Sequence, residues 1–399
     1  MKRLLDAPHR IFFFAAAVQI LIVSAWWAAT LAARAAGAPP ALPSGLEPAR
    51  VHALVMTYGF FPLFIFGFLF TAGPRWLEQP APARRQYAAP ALVAAFAAWL
   101  LLPAAAASPG LAALDILVML GAWGWMLGHF IQLIRTSRAP DRLHAILVAC
   151  ALGLGLVGLA AARVWILTGS ARAGDAMETI GMWGFLVPVV VTVSHRMIPF
   201  FTANVVPRLV PWRPAWTLGA LAGGAVSHGA LVLAGLAQWT WFIDAPVGAM
   251  ALFAAWRWGF ARSFANRMLA MLHLGFLWLG VAWLLHALQS ALAAAGAGSL
   301  GLAPTHALAI GFLSSVTFAM VSRVSCGHSG RTLAADRLTW VAFLTLQAAA
   351  ATRVAADLWT GAYSALLVAA ASLWLACFAA WTWRYLPFYW RPRADGKPG

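Results

Sequence analysis

Residues 11–33 read IFFFAAAVQILIVSAWWAATLAA and contain no charged side chain. A helix needs roughly 20 predominantly apolar residues to cross the hydrocarbon core of a bilayer, so this stretch predicts a transmembrane helix. The run is too long for the hydrophobic part of a signal peptide, and no convincing small-residue cleavage site ends it. We therefore expect it to remain in the protein as its first membrane helix.

Comparable apolar runs recur along the whole chain. Short segments with proline, glycine or arginine separate them, and no linker is long enough to divide two soluble domains. The sequence therefore predicts one all-α domain over residues 1–399, a polytopic integral membrane protein with about twelve transmembrane helices. The predicted runs lie near residues 11–33, 51–73, 88–106, 112–134, 145–168, 179–201, 215–237, 240–260, 268–291, 303–325, 335–358 and 363–386.

The composition also indicates that lipid is the main solvent. Of 399 residues, 63% are hydrophobic and 10% are charged, whereas about a quarter of the residues in soluble domains are charged. The formal charge of +16 could suggest nucleic-acid binding, but the arginines stand in short clusters between apolar runs. That pattern is typical of cytoplasmic loops, so nucleic acid is not expected as a partner. The three cysteines are far apart and form neither a disulfide framework nor a CxxC site.

The arginine distribution predicts the orientation. Loops that follow odd-numbered helices contain few arginines, whereas loops that follow even-numbered helices contain many, and positive loops stay in the cytoplasm. Both termini are therefore expected in the cytoplasm. The arginine-poor loops contain Arg34, Arg50 and Arg172. The arginine-rich loops contain Arg75, Arg84, Arg85, Arg135, Arg138, Arg142, Arg208, Arg213, Arg257, Arg262, Arg267, Arg331 and Arg337.

Histidines within the apolar runs are the main candidates for chemistry, because polar groups are costly in hydrocarbon. By depth they form two sets. His52 and His306, with His286 near them, lie toward the outer face, and His195, His273 and His328 lie toward the inner face. His306 and His328 are roughly 33 Å apart along a helix and cannot share one metal. Facing imidazoles could ligate haem iron and three imidazoles suit copper, although a membrane histidine can also simply bond a neighbouring helix.

Two polar segments lie at the inner face, at residues 194–204 and 322–331. Pro199 is expected to end or kink its helix, and the glycines near His328 permit a tight turn or a close backbone approach. Arg196 and Arg323 could bind haem propionates or another anion, while Arg331 is better explained as a positive-inside anchor. No Walker loop, GxGxxG, HExxH or serine elbow is placed where it would work, and intramembrane carboxylates are too scarce for a carboxylate proton relay.

At these segments the sequence resembles the NnrS family of bacterial membrane proteins, collinearly over nearly the whole chain. The first similar block is GFLFTAGPRW after His52, against the family's G-F-L-x-T-A-x-P-x-W. The last is MVSRVSCGHSGR, against M-x-x-R-V-S-L-G-H-T-G-R. The blocks in order are His52, 67–76, 196–202, 273–278, 306–311 and 320–331.

The resemblance implies a twelve-helix inner-membrane protein that contains haem and copper and serves the bacterial response to nitric oxide, often alongside denitrification. This chain departs from the family at three places. Leu54 and Val55 stand where a second His and a Glu are common, which puts an extra metal ligand near His52 in doubt. His195 replaces a common glycine, and Cys326 replaces a common leucine.

The resemblance further suggests an analogy with haem–copper oxidases and nitric oxide reductases, whose catalytic subunits also have twelve helices. Those proteins bind haem through histidines on helices 2 and 10, and His52 and His306 occupy comparable helices here. The helix 7 histidine pair is absent, since only His228 is found. Likeness of fold alone does not establish function.

The favoured hypothesis is a haem- and copper-binding protein of the bacterial inner (cytoplasmic) membrane, acting in nitric oxide metabolism or defence against nitrosative stress. His52 and His306 are expected to bind haem of unspecified type, with Arg196 and Arg323 as cofactor-binding cations. His195, His273 and His328 are the copper candidates. Expected partners are nitric oxide, a quinone or other electron donor, and the lipid bilayer. The alternatives are a transporter or metal exporter without haem, and an accessory or sensor subunit of a respiratory complex.

Overall fold

The computed structural model describes residues 2–38 and 42–396, and within them helices are the only regular secondary structure. This confirms the all-α prediction. The long helices, each starting close to a predicted apolar run, are α1 (Pro8–Ala35), α2 (Pro48–Trp76), α3 (Arg84–Ala107), α4 (Pro109–Thr136), α5 (Leu143–Thr168), α6 (Ala171–Ala203), α7 (Ala215–Leu233), α8 (Trp241–Arg257), α9 (Arg267–Ala294), α10 (Ala303–His328), α11 (Arg337–Leu358) and α12 (Tyr363–Tyr385).

Eleven helices of the described chain are long and apolar enough to cross a membrane. The remaining long helix, α8, has only 17 residues, which is near the lower limit of a bilayer-spanning helix. The chain is therefore a polytopic helical membrane protein, as the apolar runs predict.

The first compact unit comprises residues 1–189, 324–331 and 382–399. In it α1 packs on α2 and α3, α4 packs between α3 and α5, and α5 packs on α6. The terminal segments of the chain meet in this unit, because the buried Arg10 guanidinium donates hydrogen bonds to the Tyr389 and Arg391 carbonyls at 3.1 and 3.0 Å. Those carbonyls lie just after α12 and are satisfied by a side chain from α1.

The second compact unit comprises residues 190–323 and 332–381. Its central helix is α9, which packs against both α8 and α10, and α10 packs in turn on α11. Gly275 allows the close approach of α9 and α10, since a Cβ there would lie 2.9 Å from the Val316 backbone nitrogen. The proposal of a single domain over residues 1–399 stays a prediction.

Three membrane helices contain a π-helical segment, in which the backbone turn is widened by one residue. The segments are Val55–Phe60 in α2, Ile180–Leu186 in α6 and Ala307–Ser314 in α10. Such segments are rare and occur frequently at functional sites. The sequence patterns did not predict them.

The sequence signals at helix ends predict the structure only in part. Helix α6 does not end at Pro199, as one form of the prediction expected, but continues to Ala203. It also starts at Ala171, earlier than the predicted run, because the Ser170 hydroxyl accepts a hydrogen bond from the Ala173 backbone and caps the helix. The predicted turn after His328 is confirmed, since α10 ends there and Gly330 has a φ of +69°.

Candidate metal centre

His52 lies in the first unit, three residues before the π-helical segment of α2. Its ring is half-buried and stacks on the ring of Trp27 from α1, with centroids 4.2 Å apart and an interplanar angle of 11°. Earlier in the same turn of α2, Arg50 forms an ion pair with Asp175 of α6 at 2.7 Å. Stacking and ion pair together restrict the His52 ring and the helix end that carries it.

Tyr58 fixes the π-helical segment that follows His52. Its buried hydroxyl donates a hydrogen bond of 2.8 Å to the Met177 carbonyl of α6. Gly158 of α5 and Gly181 of α6 make room for the phenol, because a Cβ at either position would overlap the Tyr58 oxygen. The segment after His52 is therefore held by two neighbouring helices of its own unit.

His306 lies in the second unit and is the last residue before the π-helical segment of α10. Its Nδ1 lies 3.0 Å from the Leu302 carbonyl oxygen, one turn earlier. A carbonyl only accepts hydrogen bonds, so Nδ1 must carry the proton and Nε2 the lone pair. This is the tautomer that a metal-ligating histidine adopts when a backbone carbonyl orients it.

A chain of polar side chains holds the π-helical segment of α10. The Trp278 indole donates to the Gln347 amide oxygen at 2.9 Å, and the Gln347 amide nitrogen donates to the Ser315 hydroxyl at 2.8 Å. Gly311 lies directly beneath the Trp278 ring, where a Cβ would come within 2.5 Å of it. Helices α9 and α11 therefore both fix the backbone that follows His306.

His273 and His195, also in the second unit, share one hydrogen-bonding pattern. His273 Nε2 lies 2.9 Å from the Thr202 hydroxyl, and His195 Nε2 lies 2.9 Å from the Thr217 hydroxyl. Each threonine already donates its single proton to a backbone carbonyl, at 2.7 Å.

Each histidine must therefore donate its Nε2 proton to a threonine, which leaves the lone pair on Nδ1. For His273 that Nδ1 is buried and has no hydrogen-bond partner in the described part of the chain. A buried lone pair without a donor is suited to a metal ion, so the donor chemistry at His273 fits its sequence assignment.

His328 lies in the first unit and contacts His9 of α1, with ring centroids 4.6 Å apart. His9 is buried, although the sequence analysis had not included it in either set. Nearby, the Arg331 guanidinium lies 3.9 Å from the Phe388 ring centroid, and burial together with Arg384 lowers the pKa of Arg331.

The two candidate cofactor-binding arginines lie in the second unit. Arg323 stacks its guanidinium over the Phe201 ring at 4.0 Å, a cation–π contact, and is half-buried. Arg196 is half-buried on α6. Their role in binding an anion stays a prediction.

The predicted histidines are thus divided between the two units. His52 and His328 belong to the first, and His306, His195 and His273 belong to the second. Over residues 2–38 and 42–396, no group of three or more His, Cys, Asp or Glu side chains is placed to hold one metal ion. The sets drawn from the sequence stay predictions.

The second unit also contains a buried polar cluster that the sequence patterns did not predict. Asp244, an acidic residue inside the apolar run predicted at 240–260, lies in the first turn of α8 and is fully buried. Its carboxylate contacts His228, whose ring contacts His286. An aspartate at the edge of an apolar run is the signal that could have found it, because intramembrane carboxylates rarely lack a partner.

The comparisons with known proteins agree with the motifs. A family model described as NnrS protein matches residues 3–393 of this chain. No curated protein matches it.

Proposed function

The chain belongs to the NnrS family, and from this premise we propose that it binds haem and copper in the bacterial cytoplasmic membrane and acts in nitric oxide metabolism or nitrosative-stress defence. Nitric oxide is small and uncharged and enters lipid readily, so a site between helices can meet it directly. A quinone or another electron donor would be the redox partner. Membership of the family and the apolar helices support this proposal.

The observation that carries the proposal is the placement of two histidines. His52 and His306 each stand directly before or within one turn of a π-helical segment, on the second and tenth long helices. The Leu302 carbonyl fixes the Nε2 lone pair of His306, and the Trp27 ring restricts His52. These residues fit haem ligation, and His273 with its buried Nδ1 fits copper ligation.

When bound, haem and copper would supply redox-active metals to which nitric oxide binds. The chain's own contribution is to hold and orient the ligands. Tyr58 and the Trp278–Gln347–Ser315 chain fix the backbone beside each haem candidate, and Thr202 orients the His273 ring. Arg196 and Arg323 are the candidate cations for propionate groups.

The test is visible spectroscopy with metal analysis on protein purified in detergent after expression with ample haem and copper. We expect a Soret band that shifts when nitric oxide is added, and copper in the same preparation. His52→Ala and His306→Ala should each remove most of the Soret absorbance.

His129→Ala is the control, because His129 is another half-buried membrane histidine, stacked on Phe70. It should keep the Soret band. A colourless, metal-free wild-type protein, or full Soret bands in both His52 and His306 variants, would refute the assignment.

A further inference from the structure

Three polar side chains from three helices of the second unit meet within the apolar core. His228 of α7 places Nδ1 2.7 Å from Asp244 Oδ1 of α8, and the rings of His228 and His286 of α9 have centroids 5.2 Å apart. His228 is 4% exposed and Asp244 is 0% exposed. None of the three is among the residues assigned to haem or copper above, although depth along the helices groups His286 with His52 and His306.

A carboxylate buried in this way needs compensation. Moving an ionised carboxylate out of water is unfavourable unless a positive charge and hydrogen bonds balance it. Asp244 has one imidazole on Oδ1, while its Oδ2 is buried without a hydrogen-bond partner in the described residues. An ionised Asp244 therefore lacks part of the compensation it needs, and a cation bound to His228 would supply it.

The hydrogen bond to Asp244 decides which nitrogen of His228 could bind that cation. An ionised carboxylate only accepts, so His228 Nδ1 donates and the lone pair lies on Nε2. A carboxylate behind one ring nitrogen and a metal at the other is the usual arrangement of a metal-ligating histidine, and it strengthens the ligand.

The imidazole of His286 lies at a distance from His228 that suits a shared metal ion. Two rings that bind one metal through nitrogens at about 2.0 Å, at a near-tetrahedral angle, have centres roughly 5 Å apart. His228 and His286 have ring centres 5.2 Å apart and an interplanar angle of 76°. The Trp283 ring lies 5.8 Å from His228 and provides an apolar wall.

We propose that His228 and His286 bind one transition-metal ion, with Asp244 orienting His228 and balancing the charge of the metal. Two protein ligands leave further coordination positions open for water or a small solute. Imidazole donors suit copper and zinc, and copper should bind more tightly of the two. The site is separate from the haem proposal, so either can fail alone.

The experiment uses full-length protein in detergent, stripped with a chelator and then titrated with Cu²⁺ or with Zn²⁺ alone. Bound metal is measured by mass spectrometry after desalting, and the copper sample is examined by electron paramagnetic resonance for imidazole nitrogen couplings. His228→Gln and His286→Gln keep a polar side chain of similar size and should each lose one equivalent of metal per protein. Asp244→Asn should weaken metal affinity about 10–100-fold and change the copper spectrum.

His129→Gln is the control for nonspecific loss, and His195→Gln and His273→Gln separate this site from the inner histidines. Metal content that is unchanged in both the His228 and His286 variants would overturn the proposal, as would equal losses in the His129 control. Thermal melting confirms that each variant is folded. Where His228→Gln fails to fold, the Asp244→Asn affinity and spectrum decide, and wild-type values there would overturn the proposal.

Discussion

The hydroxyl of Tyr58 donates a hydrogen bond to the backbone carbonyl of Met177, 2.8 Å away and 119 residues further along the chain. The donor belongs to the π-helical segment of α2, and the acceptor lies one turn before the π-helical segment of α6. The bond therefore joins the π-helical segment of α2 to the turn that precedes the π-helical segment of α6, both within the first unit. It also fixes the backbone that follows His52.

Removal of this hydroxyl should destabilise the protein modestly. Tyr58→Phe loses one buried hydrogen bond, and such bonds between membrane helices contribute about 0.6 kcal/mol on average and at most about 1.7. We expect a lower melting temperature in detergent and a smaller yield of the Soret-absorbing form. Tyr363→Phe, at the start of α12, is the comparison, and a Tyr58 variant as stable as that one would contradict the role given to the hydroxyl.

The contact between Tyr58 and Gly158 predicts that two glycines of α5 respond differently to substitution by alanine. Gly158→Ala places a methyl group against the Tyr58 oxygen, whereas Gly153 on the same helix has open space around its position. Alanine in place of glycine should favour a helix by about 0.5–1 kcal/mol, so Gly153→Ala is expected to be neutral or stabilising.

Gly158→Ala is expected to lower the melting temperature, because overpacking typically costs about 1–3 kcal/mol. Both variants are measured by thermal denaturation in the same detergent. Equal melting temperatures would mean that the Tyr58 ring can move aside.

The sequence predicts the membrane helices from their apolar runs, but it does not predict which buried polar groups contact each other. A run such as 11–33 must form a helix in the membrane, because unpaired backbone N–H and C=O groups in lipid cost more free energy than residue helix propensities can offset. Helix α1 follows that run closely. His52 and His306 could be identified as candidates because any polar group in hydrocarbon is costly.

The remaining features depend on three-dimensional partners. In the π-helical segment at Ala307–Ser314, Gly311 packs against the Trp278 ring of α9, and Gln347 of α11 bonds Ser315 just after the segment. The Asp244–His228 contact joins two helices whose relative rotation no periodicity fixes. The apolar runs therefore predicted the helices, while the pairing of polar groups required the packed structure.

Substitution of Thr202 tests whether its hydroxyl orients the His273 ring. Thr202→Val keeps the shape of the side chain but removes the oxygen that accepts the His273 Nε2 proton, so the buried ring loses its fixed tautomer. Leaving that donor unpaired should cost about 1–3 kcal/mol. If His273 binds copper through Nδ1, the variant should also lose copper by a factor of about 10–100 in affinity.

Thr202→Ser retains the hydroxyl and should keep both stability and copper content. The pair is compared by thermal melting and by metal analysis after competition with a chelator. Valine and serine variants that behave alike would show that the hydroxyl does not orient the ring.

Replacing Gln19 with an apolar residue should stabilise the protein, whereas most substitutions in a core destabilise it. It is fully buried in α1, and neither its amide nitrogen nor its amide oxygen has a hydrogen-bond partner within the described chain. A buried unpaired polar group costs about 1–3 kcal/mol, so Gln19→Leu should raise the melting temperature of the haem-free protein.

Gln347→Leu is the matched control, since the same change there leaves the Trp278 indole and the Ser315 hydroxyl without the amide that bridges them. That variant should lower the melting temperature, because it removes the middle member of a part-buried hydrogen-bonded chain and leaves the Trp278 indole without its acceptor. The two substitutions change the same atoms, but Gln19 is fully buried and Gln347 is half-buried, so the comparison uses the sign of each change and not its size. If Gln19→Leu destabilises the haem-free protein as much as Gln347→Leu does, then Gln19 has a polar partner in solution, and water in the core of the first unit becomes the explanation to test.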